Sequence, residues 1–122
     1  MKAVHSISEQ TRQFFLQESA DLLQTIDSEL QTLRGNFSLQ KVHALMRATH
    51  TLKGAAASVG LDNLVQAAHA LEDAFNALCY DDTVVSQEVE KLLFECYDCL
   101  QQLVSAQQPA AGTAGTKRTK AS

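Results

Sequence analysis

Apolar residues return at steps of three, four and seven in four stretches of this chain, and each stretch predicts an amphipathic helix. In residues 8–34 the apolar stripe is Phe15, Leu22, Ile26, Leu30 and Leu33, with Glu18, Asp21, Asp27 and Glu29 mostly off it. Ser8 is placed to cap this helix, and Gly35-Asn36 to end it in left-handed backbone. From about Ser38 to Val59 the stripe is Val42, Leu45, Met46, Leu52 and Ala56, and Gly60 is a natural stop. Asp62 is read as the cap of a third helix over residues 62–79, striped by Leu64, Ala68, Leu71, Phe75 and Leu78. That alternation of four and three suits helices packed nearly antiparallel. Asp81-Asp82-Thr83 reads as a turn. A fourth helix runs from about Val85 to Ala106, on a stripe of Val85, Val89, Leu92, Cys96, Cys99 and Leu103 that Leu93, Leu100 and Val104 widen.

Every connection is only a few residues, so sequential helices should lie side by side and antiparallel. The predicted fold is all-α: an up-down-up-down four-helix bundle over residues 1–107. Residues 108–122 run through Pro109 into small and polar positions without pattern, which predicts a flexible, disordered linker or tail. One Pro and five Gly in 122 residues are too few for an all-β chain, and the length allows one domain.

Charge narrows the class of partner. The net charge is −4, but Lys117, Arg118 and Lys120 lie in the tail. Residues 1–107 carry seven Lys/Arg against fourteen Asp/Glu, a net of −7. An acidic body argues against nucleic acid as the main partner. No apolar run approaches the eighteen or so residues of a membrane span, and the first residues lack the apolar run of a signal peptide. The expected location is cytoplasmic. Cys79, Cys96 and Cys99 are then expected as reduced thiols, with Cys96 and Cys99 buried near the core stripe.

One segment is odd for a plain bundle: Met46-Arg47-Ala48-Thr49-His50-Thr51-Leu52-Lys53-Gly54-Ala55-Ala56-Ala57. His50, Lys53 and Gly54 stand at i, i+3 and i+4, so they share a helix face, and it is not the apolar one. His50 should point at least partly to solvent. A Gly inside a helix costs about 1 kcal/mol relative to Ala, so its place one turn from an imidazole calls for a reason. Chemistry supplies one. A neutral imidazole has one nitrogen lone pair that can attack phosphorus. A lysine one turn on can meet the anionic phosphoryl group, and a glycine lets a partner's active site close over the ring. His69 and Glu72 form a second pair three apart, flanking the third stripe. In an antiparallel pairing that edge can face His50, and a Glu accepting the proton-bearing nitrogen would leave the other nitrogen free to attack.

The run His50-Thr51-Leu52-Lys53-Gly54-Ala55-Ala56, then Gly60-Leu61, then Ala68-His69-Ala70-Leu71-Glu72-Asp73 resembles the histidine phosphotransfer (HPt) domain that opens CheA-type chemotaxis kinases. The resemblance covers roughly residues 10–104. It implies that His50 is the phospho-accepting histidine, Lys53 the lysine beside the phosphate and Gly54 the residue that gives a partner access. Glu72 would orient the accepting imidazole, with His69 as the supporting second histidine. It implies a relay and not an enzyme. Phosphate would arrive from the ATP-binding domain of a histidine kinase and leave to an Asp on a response-regulator receiver domain. This domain would bind no cofactor, and ATP and Mg²⁺ would come with the partners. Such domains often carry a short fifth helix, where this chain turns to linker.

The same residues admit other readings. A surface histidine explains His50 alone, but not together with Lys53, Gly54, His69 and Glu72. His43 lies about 10 Å along the helix from His50, too far to share a metal. Di-metal bundles take a Glu from each of two helices and Glu-x-x-His from each of two others, and this chain has one His-x-x-Glu, so no metal is expected. Arg47 and Asp73 read as a solvated face, and His5 carries no signal. Two further hypotheses stand beside the relay: a fragment of a larger kinase that is an enzyme when complete, and a helical binding bundle that is not phosphorylated.

Overall fold

The computed structural model describes residues 8–80 and 85–108. They form four helices: α1 (Glu9–Leu33), α2 (Leu39–Ser58), α3 (Asp62–Tyr80) and α4 (Gln87–Ser105). The starts of three are written in serine. Ser8, Ser38 and Ser86 each sit in extended backbone and accept the N–H of Thr11, Lys41 and Val89 respectively. Each thereby satisfies one of the amides that a helix start leaves without a partner.

Helix ends divide by residue type. Gly60 has φ +76, and a Schellman arrangement closes α2: Gly60 N–H bonds to Ala57 O and Leu61 N–H to Ala56 O. The expected stop at Gly60 therefore holds. The one at Gly35-Asn36 takes another form, because neither residue has a positive φ. The Asn36 N–H instead continues the helical pattern onto Thr32 O at 2.8 Å. Asp62 is the first residue of α3 rather than its cap, since Val65 N–H already bonds to Leu61 O.

Polar pairs between helices fix the antiparallel order. Lys41 of α2 meets Glu29 of α1 at 3.8 Å. Between α2 and α3, Cys79 donates to Met46 and Lys53 donates to Glu72, so one helix rises as the other falls. Arg34 meets Glu90 at 3.0 Å, and the Arg12 side chain donates to Gln107 O, which closes α4 back onto α1. Only neighbouring helices pack, and α2 with α3 most extensively. This is the up-down-up-down bundle that the spacing predicts.

The core takes one stripe from each helix, including Phe15, Ile26, Leu45, Leu52, Leu71, Phe75 and Leu100. The third stripe is buried as expected. The others shift by a residue in places. Leu23 is buried while Leu22 is half-buried, and Ala48 and Thr49 are buried beside a half-buried Met46. The fourth stripe is corrected: Leu93, Tyr97, Leu100 and Val104 face the core, Leu92 is 59% exposed, and Cys96 and Cys99 are exposed rather than buried. Four adjacent pairs of apolar positions make two stripes equally periodic. Volume decides between them, because the Tyr97 ring removes far more apolar area from water than the Cys96 side chain would. Burial, reinforced by Asp27 and Asp98, pushes the Tyr97 hydroxyl up to about 12.

The Asp81-Asp82-Thr83 turn lies outside the described residues, as does the linker expected over 108–122 apart from Gln108. Among the described residues α4 is the last helix, and none of the helices is long and apolar enough to cross a membrane.

Candidate functional site

The site is built on the most extensive helix pairing. The Gly60 turn returns the chain so quickly that the middle of α2 meets the middle of α3. The buried stripes, Leu45, Leu52 and Ala56 against Leu64, Leu71 and Phe75, hold the two helices in register. Thr49, fully buried, donates its hydroxyl to Leu45 O at 2.6 Å and so satisfies itself within α2. The next residue, His50, is thrown outward. Its side chain is 66% exposed.

Glu72 sits opposite, 19% exposed and wedged between two donors. Its Oε2 is 2.9 Å from His50 Nδ1, and its Oε1 is 2.7 Å from Lys53 Nζ. A carboxylate only accepts hydrogen bonds, so the facing Nδ1 carries the hydrogen and the lone pair is left on Nε2. The free nitrogen is the one farther from Glu72. Burial desolvates the Glu72 carboxyl and pushes its pKa up. The hydrogen bonds from Lys53 and His50, with the positive charge of Lys53, more than offset this and leave it below its ordinary value. Glu72 is therefore ionised at neutral pH and stays an acceptor.

Lys53 stands one turn along α2 from His50 but is less exposed, and its ammonium reaches across the helix interface to Glu72. Gly54 is exposed, and a Cβ there would meet no described atom within 4 Å beyond its own stretch of helix. Among the described residues, none requires a glycine at this position. What its missing side chain leaves open is the approach from solvent, one turn from His50.

His69 is brought to Lys53: its Nδ1 lies 3.5 Å from Lys53 Nζ, and its Nε2 lies 3.3 Å from Asp73 Oδ2. Its partners are therefore Lys53 and Asp73, and it reaches His50 through Lys53 and Glu72. The Asp73 contact was not expected from sequence, where Asp73 read as a solvated acid. The signal was present in the i, i+4 spacing of His69 and Asp73. His43 and Arg47 are exposed on the outer face of α2, and His5 lies outside the described residues. Among the described residues, no group of three His, Cys, Asp or Glu side chains is placed to share a metal ion.

An imidazole with one nitrogen pinned and the other bare, on a rigid helix, can act as a nucleophile toward phosphorus. The comparison with known families agrees with that chemistry: the profile described as the Hpt domain matches residues 10–108. This chain belongs to the Hpt domain family. Curated relatives of this Hpt domain carry the name "Chemotaxis protein CheA". The one from Bacillus subtilis (strain 168) is 37% identical over 93 residues, covering 75% of this chain and 14% of its own length. The one from Rhizobium meliloti (strain 1021) is 31% identical over 102 residues, covering 83% of this chain and again 14% of its own. The chain thus spans about one-seventh of the length of these relatives. No solved structure gives a significant match.

Proposed function

We propose that this Hpt domain is the phosphorelay intermediate of a two-component system, with His50 as the group that carries the phosphate. The observation that supports this most is the 2.9 Å contact of His50 Nδ1 with Glu72, which leaves Nε2 as the nucleophile on an exposed ring. In the first transfer the Nε2 lone pair forms a bond to the γ-phosphorus of ATP. The bond from that phosphorus to the bridging oxygen breaks, and its electron pair leaves with ADP. The proton on Nδ1 stays in the hydrogen bond to Glu72, which balances the positive charge that develops on the ring. In the second transfer a regulator Asp carboxylate attacks the phosphorus, and the N–P bond breaks toward the imidazole.

Each neighbouring residue has a part in this reading. Glu72 orients the ring. Lys53 stabilises charge, toward Glu72 at rest and toward the phosphoryl group once it arrives. Gly54 gives a partner's active site room, and His69 supports Lys53. Phosphoryl transfer is mostly positioning and charge stabilisation, so these residues suffice on this side of the reaction. ATP, Mg²⁺ and the acceptor Asp belong to the partners: the ATP-binding domain of a CheA-like histidine kinase and a response-regulator receiver domain, in the cytoplasm. The name of the relatives points to chemotaxis, and the proposed output is chemotaxis or motility signalling. By the same analogy the domain is one module of a kinase that is an enzyme only when complete.

The deciding experiment is phosphate incorporation from a CheA-type kinase core with ATP and Mg²⁺, into wild type and His50→Gln. Acid-labile, alkali-stable label on wild type alone is the expected result. Equal label on His50→Gln would place the phosphate elsewhere. Silence with several donors and with a phosphorylated regulator would leave a binding bundle.

A further inference from the structure

Glu72 is not the sole neighbour of the Lys53 ammonium, and the second one, His69, is itself held. His69 Nδ1 lies 3.5 Å from Lys53 Nζ, while the opposite ring nitrogen, Nε2, lies 3.3 Å from Asp73 Oδ2. We propose that Asp73 is a positioning residue for the relay: by holding His69 it presents the Nδ1 lone pair to Lys53 and so keeps the ammonium seated on Glu72. This rests on the reading of His50 as the phosphate carrier.

The bonding direction follows from the two ends of the chain of contacts. Asp73 and Glu72 are carboxylates, which only accept, and an ammonium only donates. With Asp73 accepting, the His69 hydrogen belongs on Nε2, and Nδ1 is left as an acceptor that faces Lys53. The reverse tautomer would set an N–H against the ammonium, donor against donor, and a flipped ring would turn carbon toward both Lys53 and Asp73. Donors and acceptors then alternate without conflict from Asp73 through His69, Lys53 and Glu72 to His50, and the chain ends with Nε2 of His50 bare. Covalent geometry makes the first link local. His69 and Asp73 stand four apart on α3, the spacing at which helix side chains meet. Both are mostly exposed, at 60% and 68%, so solvent weakens the contact and its effect on the relay should be modest.

The test compares wild type with Asp73→Ala, Asp73→Asn, Lys53→Ala and the Asp73→Ala/Lys53→Ala double variant. Two quantities are read: the rate of phosphate acceptance at His50 from a CheA-type kinase core, and the side-chain ¹⁵N resonances of Lys53 and His69. Asp73 is exposed, so its variants should fold, which circular dichroism checks. Asp73→Ala is expected to slow acceptance about twofold, the size of an exposed i, i+4 contact. Asp73→Asn, which keeps an acceptor oxygen, should recover most of the rate. In the Lys53→Ala background the Asp73→Ala change should have no further effect, because its route is already gone. An equal slowing in both backgrounds would overturn the proposal, since Asp73 would then act on the partner or the fold. So would an Asp73→Ala protein with wild-type rate and unmoved Lys53 and His69 resonances. Should even wild type take no phosphate, the relay reading fails and the resonances decide the contact alone. Movement in Asp73→Ala that Asp73→Asn reverses would sustain the positioning, and its absence would overturn it.

Discussion

Lys53 Nζ lies 2.7 Å from Glu72 Oε1, on the opposite carboxylate oxygen from the one that holds His50. The same carboxylate thus serves a cation and an imidazole at once. The cation offsets the desolvation of Glu72 and helps hold its pKa below the ordinary value, and an ionised Glu72 is what pins His50 Nδ1. Lys53 therefore acts on the resting site, and the charge stabilisation proposed for it begins there.

Lys53→Ala is expected to slow phosphate acceptance at His50 by about tenfold, equivalent to ~1.4 kcal/mol in the barrier. The domain should lose about 1 kcal/mol of stability or less, since the pair is close to the surface. Paired kinetics and urea unfolding check this. A protein that relays at the wild-type rate would remove Lys53 from the mechanism.

Glu72→Gln should leave an acceptor beside His50 but remove the charge, so acceptance should fall less than in Glu72→Ala. The ring nitrogens of His50 report the cause. In wild type the ¹⁵N shifts should mark Nδ1 as protonated and Nε2 as bare, and in Glu72→Ala the two tautomers should mix. Unchanged shifts with an unchanged rate would mean that the α2–α3 contact does not orient the ring.

The lowered pKa of Glu72 carries a pH signature. A carboxyl whose folded-state pKa is depressed contributes stability that is present above its unfolded value and is lost as pH falls through the folded one. The stability gap between wild type and Glu72→Gln should therefore be open at neutral pH. It should close as pH falls from the ordinary value of 4.5 into the range below it. A gap that is constant down to pH 2 would show that the charge on Glu72 is not what holds the contact.

Gly54→Ala separates fold from docking. A methyl at this position touches nothing, and Ala is the better helix former by about 1 kcal/mol. The variant should melt at or above the wild-type temperature. It should still take phosphate from a small donor such as phosphoramidate, but more slowly from a kinase core or a regulator, whose surface must close over the ring. Equal slowing with both kinds of donor would place the effect of Gly54 on the imidazole itself.

The register of α4 can be read from two neighbours. Leu93→Ala should cost about 2–5 kcal/mol, as for a buried leucine in a packed core. Leu92→Ala should stay within about 1 kcal/mol. Cys96 and Cys99 should react with a thiol reagent in the native state ahead of the half-buried Cys79. The opposite order, in stability or in reactivity, would restore the stripe through Leu92, Cys96 and Cys99.

Local chemistry determined much of this protein from sequence alone. The starts of α1 at Ser8 and of α2 at Ser38, and the end of α2 at Gly60, were legible because capping depends on the residues at the helix end. The stripe from Leu64 to Leu78 was legible because the series beside it on α3, Ala67, Ala70, Ala74 and Ala77, is made of small residues that bury little area. His50, Lys53 and Gly54 were placed on one outward face by spacing within a single helix, and the resemblance to the Hpt domain rested on that spacing together with the His69 and Glu72 pair. Tertiary structure decided what spacing leaves open. On α4, side-by-side apolar pairs make two faces equally good, and only the volume available against α1 and α3 chose Tyr97 over Cys96. The contact of Glu72 with His50 depends on how two helices are set against each other, to within an ångström, by the packing of Leu45, Leu52, Leu71 and Phe75. The link of Asp73 to Lys53 through His69 needs that same register. Periodicity assigns a side chain to a face, but the partner it meets across an interface is set by the packed core beneath.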